Sequence, residues 1–392
     1  MQELPTDFIK MLHDLLGDEA SDLIKALDEK PITSVRLNKR KPGAEFDDST
    51  PVTWCKSGLY LNERPEFILD PLLHAGAYYV QDASSMIYET VVERLINKFG
   101  KENDGKEKDF GSLRILDLCA APGGKTTAII NAVPDGSFVC ANEYSQKRVG
   151  ALKENIAKWG YPNVSVTNRD SAYYASLGES YDIVAVDAPC SGEGMMRKEE
   201  VARTQWSHNL VEQCATLQKE ILENAIKSLK PGGFLIYSTC TFNHHENEEN
   251  AEYIAKVLEL EPVDLQLPEE WGIPKGINTE LPVYRFMPHK TKGEGLFLSV
   301  FRKPGKWVQP QRGLEKFKAS QSQQTAKEEY PYVDVDKETA LSYLRRESIK
   351  LSEDAPRGMV TITYKGLPLG PAKNIGTRAN NLYPKNWRIL KR

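Results

Sequence analysis

Apolar residues at Phe8, Leu12, Leu15, Leu16, Leu23, Ile24 and Leu27 recur at helical spacing and predict two short helices ahead of Pro31. Thr33-Ser-Val-Arg-Leu-Asn reads as a strand, and a turn-rich, irregular stretch follows to about Pro71. Helical spacing returns over residues 83–99, and residues 100–111 form a charged, glycine-bounded link. Between 112 and 305 the rhythm changes: short apolar runs alternate with longer amphipathic ones, the pattern of βαβ units around a parallel sheet. Strands are predicted at 114–119, 137–142, 164–167, 181–187 and 234–240, with 296–302 a late strand at the sheet edge. Helices are predicted at 125–132, 147–159 and 210–229, the last ended by a Lys-Pro-Gly-Gly turn at 230–233. The chain thus divides into a small α+β region (1–110), an α/β core of Rossmann-like type (111–305), a polar Gln, Ser and Lys-rich linker (306–330) and a small β-rich domain (331–392), with no internal repeat.

Composition narrows the class without naming a function. Over 392 residues, 40% hydrophobic and 27% charged describe a soluble globular protein of two or three domains. There is no signal-peptide pattern at the start and no apolar run long enough for a membrane span. The six cysteines are scattered, without the density of a disulfide scaffold, which points to a reducing, cytoplasmic setting. A net charge of −4 argues against nucleic acid as a partner, but distribution counts for more than the sum. From residue 357 onward Arg357, Lys365, Lys373, Arg378, Lys385, Arg388, Lys391 and Arg392 occur with no acid, interleaved with Tyr364, Tyr383 and Trp387. Arg36, Lys39, Arg40 and Lys41 form a second cluster. Together they suggest a polyanionic substrate.

Asp117-Leu-Cys-Ala-Ala-Pro-Gly-Gly-Lys-Thr follows a buried strand and opens a helix, where doubly wound folds bind nucleotides. A P-loop would need Gly where Cys119 stands, and the G-x-G-x-x-G spacing does not match either. What remains is a methyltransferase-type loop with small residues at 119, 121 and 123, which would let the backbone approach the methionine part of adenosylmethionine. Glu143 ends the second strand, where a carboxylate can accept from both ribose hydroxyls, and Asp170 follows the third, near the adenine edge.

Asp187-Ala-Pro-Cys-Ser-Gly-Glu-Gly follows the fourth strand and Ser238-Thr-Cys-Thr the fifth, so Cys190 and Cys240 converge on one cleft. Carbon 5 of cytosine is a poor nucleophile; a thiolate adding to C6 turns the ring into an enamine whose C5 accepts a methyl group. Free cysteines are more often small buried hydrophobes, the reading kept for Cys55, Cys140 and Cys214. Loops rich in Ser, Thr, Pro and Gly after strands favour chemistry for the other two. Chemistry alone leaves open which is the nucleophile, and a Pro-Cys cysteine of the DNA cytosine methyltransferase type would point to Cys190.

These three segments, with Ser34-Val-Arg-Leu-Asn and Tyr78-Tyr-Val-Gln-Asp-Ala-Ser-Ser, resemble the signature of the Nol/Nop/Sun family of RNA cytosine-5 methyltransferases. The tail, with Tyr364-Lys-Gly-Leu-Pro-Leu-Gly and Asn381-Leu-Tyr-Pro-Lys, is similar to the bacterial RsmF branch acting on 16S ribosomal RNA. The resemblance implies S-adenosylmethionine as cofactor, Cys240 as nucleophile, Cys190 in release of the methylated RNA, and Asp187 at the N3 edge of cytosine. It implies cofactor contacts from Cys119, Ala120, Ala121, Pro122, Gly123, Gly124, Lys125, Glu143, Asp170 and Asp187. Lys125 is a candidate either to orient catalytic groups or only to help close the cofactor loop. The resemblance further implies an N-terminal RNA-recognition domain, a PUA-like C-terminal domain, and an RNA partner, 16S rRNA or the small subunit, rather than DNA or membrane; a monomer is expected. No metal is expected, since the adjacent His244 and His245 point apart. Arg197 and Lys198, after the Asp187 loop, are candidates to meet a phosphate. The alternatives are a tRNA cytosine-5 methyltransferase, a methyltransferase for protein or small molecules, and a non-catalytic RNA-binding assembly factor.

Overall fold

In the computed structural model, which describes residues 3–102, 112–308 and 330–391, the α/β rhythm of the middle of the chain closes into one sheet. Strands β5 (Arg114–Asp117), β6 (Phe138–Asn142), β7 (Val164–Thr167), β8 (Tyr181–Asp187) and β9 (Leu229–Thr239) run parallel in the order β7-β6-β5-β8-β9. β12 (Leu296–Arg302) adds antiparallel to β9. The chain winds from β5 to one side, then crosses back to β8, so a ligand crevice opens at the carboxyl ends of β5 and β8.

Both sheet faces are covered, which is why these strands are uninterrupted apolar runs. Along β8, Ile183 and Ala185 enter one core, with α4 (Ile87–Glu102), α5 (Gly124–Ala132) and α6 (Gln146–Trp159). Val184 and Val186 enter the other, with α7 (Ser171–Ser176), α9 (His208–Ser228) and α10 (Glu248–Lys256). The helix expected over 83–99 is therefore part of the core packing, its Val91, Val92 and Leu95 fully buried.

Two flanking units complete the protein. β1 (Thr33–Leu37), β2 (Ser49–Val52), β3 (Cys55–Leu61) and β4 (Tyr78–Val80) form an antiparallel sheet in the order β2-β3-β1-β4. Helices α1 (Thr6–Leu16) and α2 (Ala20–Asp28) pack instead on Met196, Trp206, Val211 and Phe242 of the core. At the other end β13 (Tyr332–Asp334), β14 (Gly358–Tyr364), β15 (Leu367–Asn374) and β16 (Ala379–Asn381) form a sheet carrying α11 (Lys337–Leu344), its core reaching Ala75 of the N-terminal unit.

Several expectations need correction. The stretch up to Pro71 is not irregular: β2 and β3 lie in it, paired with each other, and β3 pairs on its other side with β1. Lys-Pro-Gly-Gly does not separate a helix from a strand; it lies inside β9, with Gly232 in the left-handed region so that the chain clears the Trp307 backbone, 2.3 Å from where a Cβ would sit. β12 is not an edge strand, since β10 (Glu261–Pro262) and β11 (Tyr284–Phe286) pair on its outer side. The charged link at 100–111 and the linker at 306–330 lie largely outside the described residues. No helix of the described residues is long and apolar enough to cross a membrane.

Every residue of the N-terminal basic cluster makes contacts within the chain. Arg36 is wholly buried; its guanidinium donates to Gln81 Oε1 at 2.8 Å, Thr127 O at 3.1 Å and Gly124 O at 3.2 Å, fastening β1 to the start of α5. Arg40 donates to Ile130 O and pairs with Asp135, Lys41 donates to the Ala75 and Lys158 carbonyls, and Lys39 pairs with Glu89 and Glu93. Buried carbonyls need donors, and long basic side chains reach them across the domain junction.

Candidate active site

The crevice at the strand ends is a cavity of about 660 Å³, walled by residues that include Leu118, Cys119, Glu143, Asp170, Asp187, Cys190 and Cys240. That is within the roughly 300–1,000 Å³ of small-molecule sites. It gathers six of the residues expected from sequence. Ala120, Ala121, Pro122, Gly123 and Gly124 are not among its walls; they turn the chain from β5 into α5. Gly123 is the residue preceding α5, at φ +110°, a backbone conformation that disfavours any side chain.

The acids at the strand ends differ in environment. Glu143 is 4% exposed and accepts from Ser145 N at 2.8 Å and Ala121 N at 3.3 Å, so it ties the loop to β6 as well as facing the cavity. Arg148 stands 3.4 Å from it. Asp170 Oδ1 accepts from Ala172 N as the N-cap of α7, which leaves Oδ2 uncommitted. Asp117, at the end of β5, is buried beneath the loop, and burial with the nearby Asp187 and Glu143 charges pushes its carboxyl up to about 7 despite a hydrogen bond from Thr126.

The two thiols meet. Cys190 Sγ and Cys240 Sγ are 3.2 Å apart, and Cys240 N lies 3.4 Å from Cys190 Sγ. Their hydrogen bond, then burial, holds the Cys190 thiol well above its ordinary range. Asp187 sits beside them, paired through Oδ2 with Lys125 Nζ at 2.8 Å. Burial works against the Lys125 charge, but the facing carboxylate outweighs it and holds the ammonium above its usual range. Lys125 therefore enters the site through Asp187, not as a wall of the cavity. Cys55 and Cys140 are core residues, as expected, and Cys214 is partly buried.

Sequence reading missed the residues that hold the thiol loops together. Glu246 accepts from Ser191 N at 3.0 Å, Gln218 Nε2 at 2.7 Å and Asn243 Nδ2 at 2.7 Å. Glu193 accepts from Phe242 N, Asn243 N and Trp206 Nε1. Each carboxylate thereby links the Cys190 loop to the Cys240 loop. The only hint in sequence is that acids occur within a few residues of both cysteines. Arg197, a phosphate candidate, is instead buried against Glu294 at 2.8 Å, and Lys198 pairs with the same carboxylate. His244 and His245 pair with Glu248 and Glu249, and among the described residues no three metal-ligating side chains cluster.

This sheet order, with its crevice, is the Rossmann-like architecture of class I methyltransferases. Residues 105–302 match the family described as 16S rRNA methyltransferase RsmB/F, residues 4–83 the N-terminal domain of 16S rRNA methyltransferase RsmF, and residues 330–389 the methyltransferase RsmF PUA domain. The chain belongs to the RsmB/F family, with RsmF-type flanking domains. A relative named Ribosomal RNA small subunit methyltransferase F from Enterobacter sp. (strain 638) is 34% identical over an alignment of 322 positions that covers 76% of this chain and 63% of that protein. The chain thus spans less than two thirds of the length of that relative. One of the same name from Vibrio parahaemolyticus is 31% identical over an alignment of 410 positions that covers 96% of this chain and 81% of the relative. The solved structure of NSun6 from Pyrococcus horikoshii with SFG shares the fold, with a TM-score of 0.63 and 21% identity over 78% of this chain and 99% of that one.

Proposed function

We propose that the protein transfers a methyl group from S-adenosylmethionine to C5 of a cytosine in RNA, with 16S ribosomal RNA of the small subunit as substrate, in the cytoplasm. The observation that carries the reading is the pair of thiols, 3.2 Å apart, delivered by two separate strand ends into the crevice that also holds the carboxylates of Glu143, Asp170 and Asp187. The family membership and the printed names of the relatives support the substrate class.

The residues present fit the cofactor. Asp170 keeps a free oxygen and Glu143 spare lone pairs at the cavity wall, suited to hydroxyl and amino donors of a nucleoside. Leu118, Leu217 and Ile221 supply an apolar side. When bound, the cofactor supplies an electrophilic methyl group. The remaining chemistry falls to the chain. Cys240 thiolate adds to C6 of the cytosine, which moves the ring electron pair to C5, where the methyl is received. Asp187, steadied by Lys125, is proposed to hold the N3 edge. With Cys240 bonded to C6 and no longer a thiolate holding its hydrogen bond, Cys190 gives its own proton to water and takes the C5 proton. The C–H pair then re-forms the 5,6 double bond and expels Cys240 as thiolate. RNA recognition is assigned to residues 1–110 and 331–392, flanking the catalytic 111–305.

Purified protein, methyl-labelled adenosylmethionine and ribosomal RNA from unmodified cells test this with wild type, Cys240→Ala and Cys190→Ala. Expected are label in RNA with wild type, none with Cys240→Ala, and an RNA–protein adduct surviving denaturation with Cys190→Ala. The reverse pattern makes Cys190 the nucleophile; no label in RNA from wild type sinks the reading.

A further inference from the structure

Two residues without a role so far meet the charged pair at the crevice floor. Ser238, at the end of β9, donates from Oγ to Asp187 Oδ1 at 2.7 Å, while Lys125 occupies Oδ2. Tyr88, on α4, places its hydroxyl 2.7 Å from Ser238 Oγ, and its ring lies under the same Lys125 ammonium, 5.8 Å from the centroid. Tyr88 and Ser238 are both wholly buried, so bulk water does not compete for these bonds.

The direction of the chain follows from counting protons. A serine hydroxyl has one proton. Committed to the carboxylate, Ser238 offers Tyr88 only a lone pair, so the phenol is the donor. Burial, reinforced by the Asp187 charge, holds that phenol well above its ordinary range, so it keeps its proton throughout the working pH. We propose that Tyr88 and Ser238 are positioning residues for the reaction above, holding the Asp187 carboxylate in one orientation opposite Lys125 through the ordered chain Tyr88 Oη to Ser238 Oγ to Asp187 Oδ1. The inference rests on the proposed reaction for its consequence, but not for its geometry. Tyr88 stands outside the stretch matching the methyltransferase family, so α4 lends that domain a residue its own sequence lacks.

A buried tyrosine needs a partner in any case, so the test must read Asp187 itself. In the full chain, the carboxyl-¹³C signal of Asp187, identified by its loss in Asp187→Asn, is recorded at one pH in wild type, Ser238→Ala and Tyr88→Phe. The phenylalanine keeps the ring under Lys125. Losing the hydrogen bond at Oδ1 moves the signal in Ser238→Ala and moves it less in Tyr88→Phe. Methyl transfer accompanies it. kcat falls on the order of tenfold in Ser238→Ala, with KM for RNA unchanged. The double variant matches Ser238→Ala alone, because the links act in series. An unmoved Asp187 signal overturns the inference, as does a double variant whose loss is the product of the two singles. A wild type that methylates no RNA overturns the proposed reaction instead, and the Asp187 signal still decides the chain.

Discussion

Cys190 Sγ lies 3.2 Å from Cys240 Sγ, closer than two unbonded sulfurs in van der Waals contact, although the residues are fifty positions apart and end different strands. Proximity makes the pair a ready reductant. Treatment with a small excess of hydrogen peroxide is expected to remove one hydrogen from each thiol, forming a disulfide and two waters. Methyl transfer is then lost and returns with dithiothreitol. Mass spectrometry of the Cys190 and Cys240 peptides checks this; inactivation that Cys190→Ala shares, and that thiol reverses, would count against it.

Asp117 makes stability depend on pH. Its carboxyl is raised from an ordinary 3.8 to about 7, so between those values the folded state binds more protons than the unfolded one. The linkage sign is therefore negative: this group's contribution is full below about pH 4 and is lost as pH rises to about 7. Asp117→Asn, which keeps an acceptor for Thr126, is expected to flatten the fall by about 2–4 kcal/mol. Urea unfolding at pH 5 and pH 7.5 measures it. An equal fall in the variant and wild type would show that Asp117 is not the source.

Arg36 is a junction residue. Arg36→Met keeps volume but leaves the Gly124 and Thr127 carbonyls without this donor, and is expected to cost about 3–5 kcal/mol in urea denaturation. If the cluster bound phosphate instead, the variant would keep its stability and lose salt-dependent RNA affinity.

The C-terminal basic residues behave differently, since Lys373, Arg378, Lys385 and Arg388 are all exposed. Replacing Lys373 and Arg378 with alanine is expected to reduce the slope of log affinity against log salt by about one per residue. kcat at saturating RNA stays put. An unchanged slope would remove this face from the RNA interface.

Much of the fold was legible. Periodicity located β7, β8 and β12 at their observed bounds and β5, β6, α5, α6 and α9 within about two residues, because strands buried on both faces must be continuously apolar; α7 and α10 were not foreseen, and β9 starts at Leu229, ahead of its expected start. The loop after β5 and the two cysteine segments were legible because a crevice at strand ends needs small residues and reactive groups at fixed offsets. β2 and β3 were not. Their sequence, with Pro51, Lys56 and mixed exposure, has no clean alternation, and only the pairing of β2 with β3 and of β3 with β1 makes them strands.

The same division holds at the site. The sequence by itself determined which residue types reach the crevice: Cys119, Glu143, Asp170, Asp187, Cys190 and Cys240 are set by their position after a strand. It could not determine which groups share a proton or a charge. That Lys125 faces Asp187, that Tyr88 reaches it through Ser238, that Glu246 and Glu193 lash two loops together and that Arg36 is structural all depend on contacts between residues far apart in the chain. In a buried, low-dielectric site the nearest hydrogen-bond partner decides whether an ionisable group is a proton carrier, an anchor or a fastening, and only the tertiary structure names that partner.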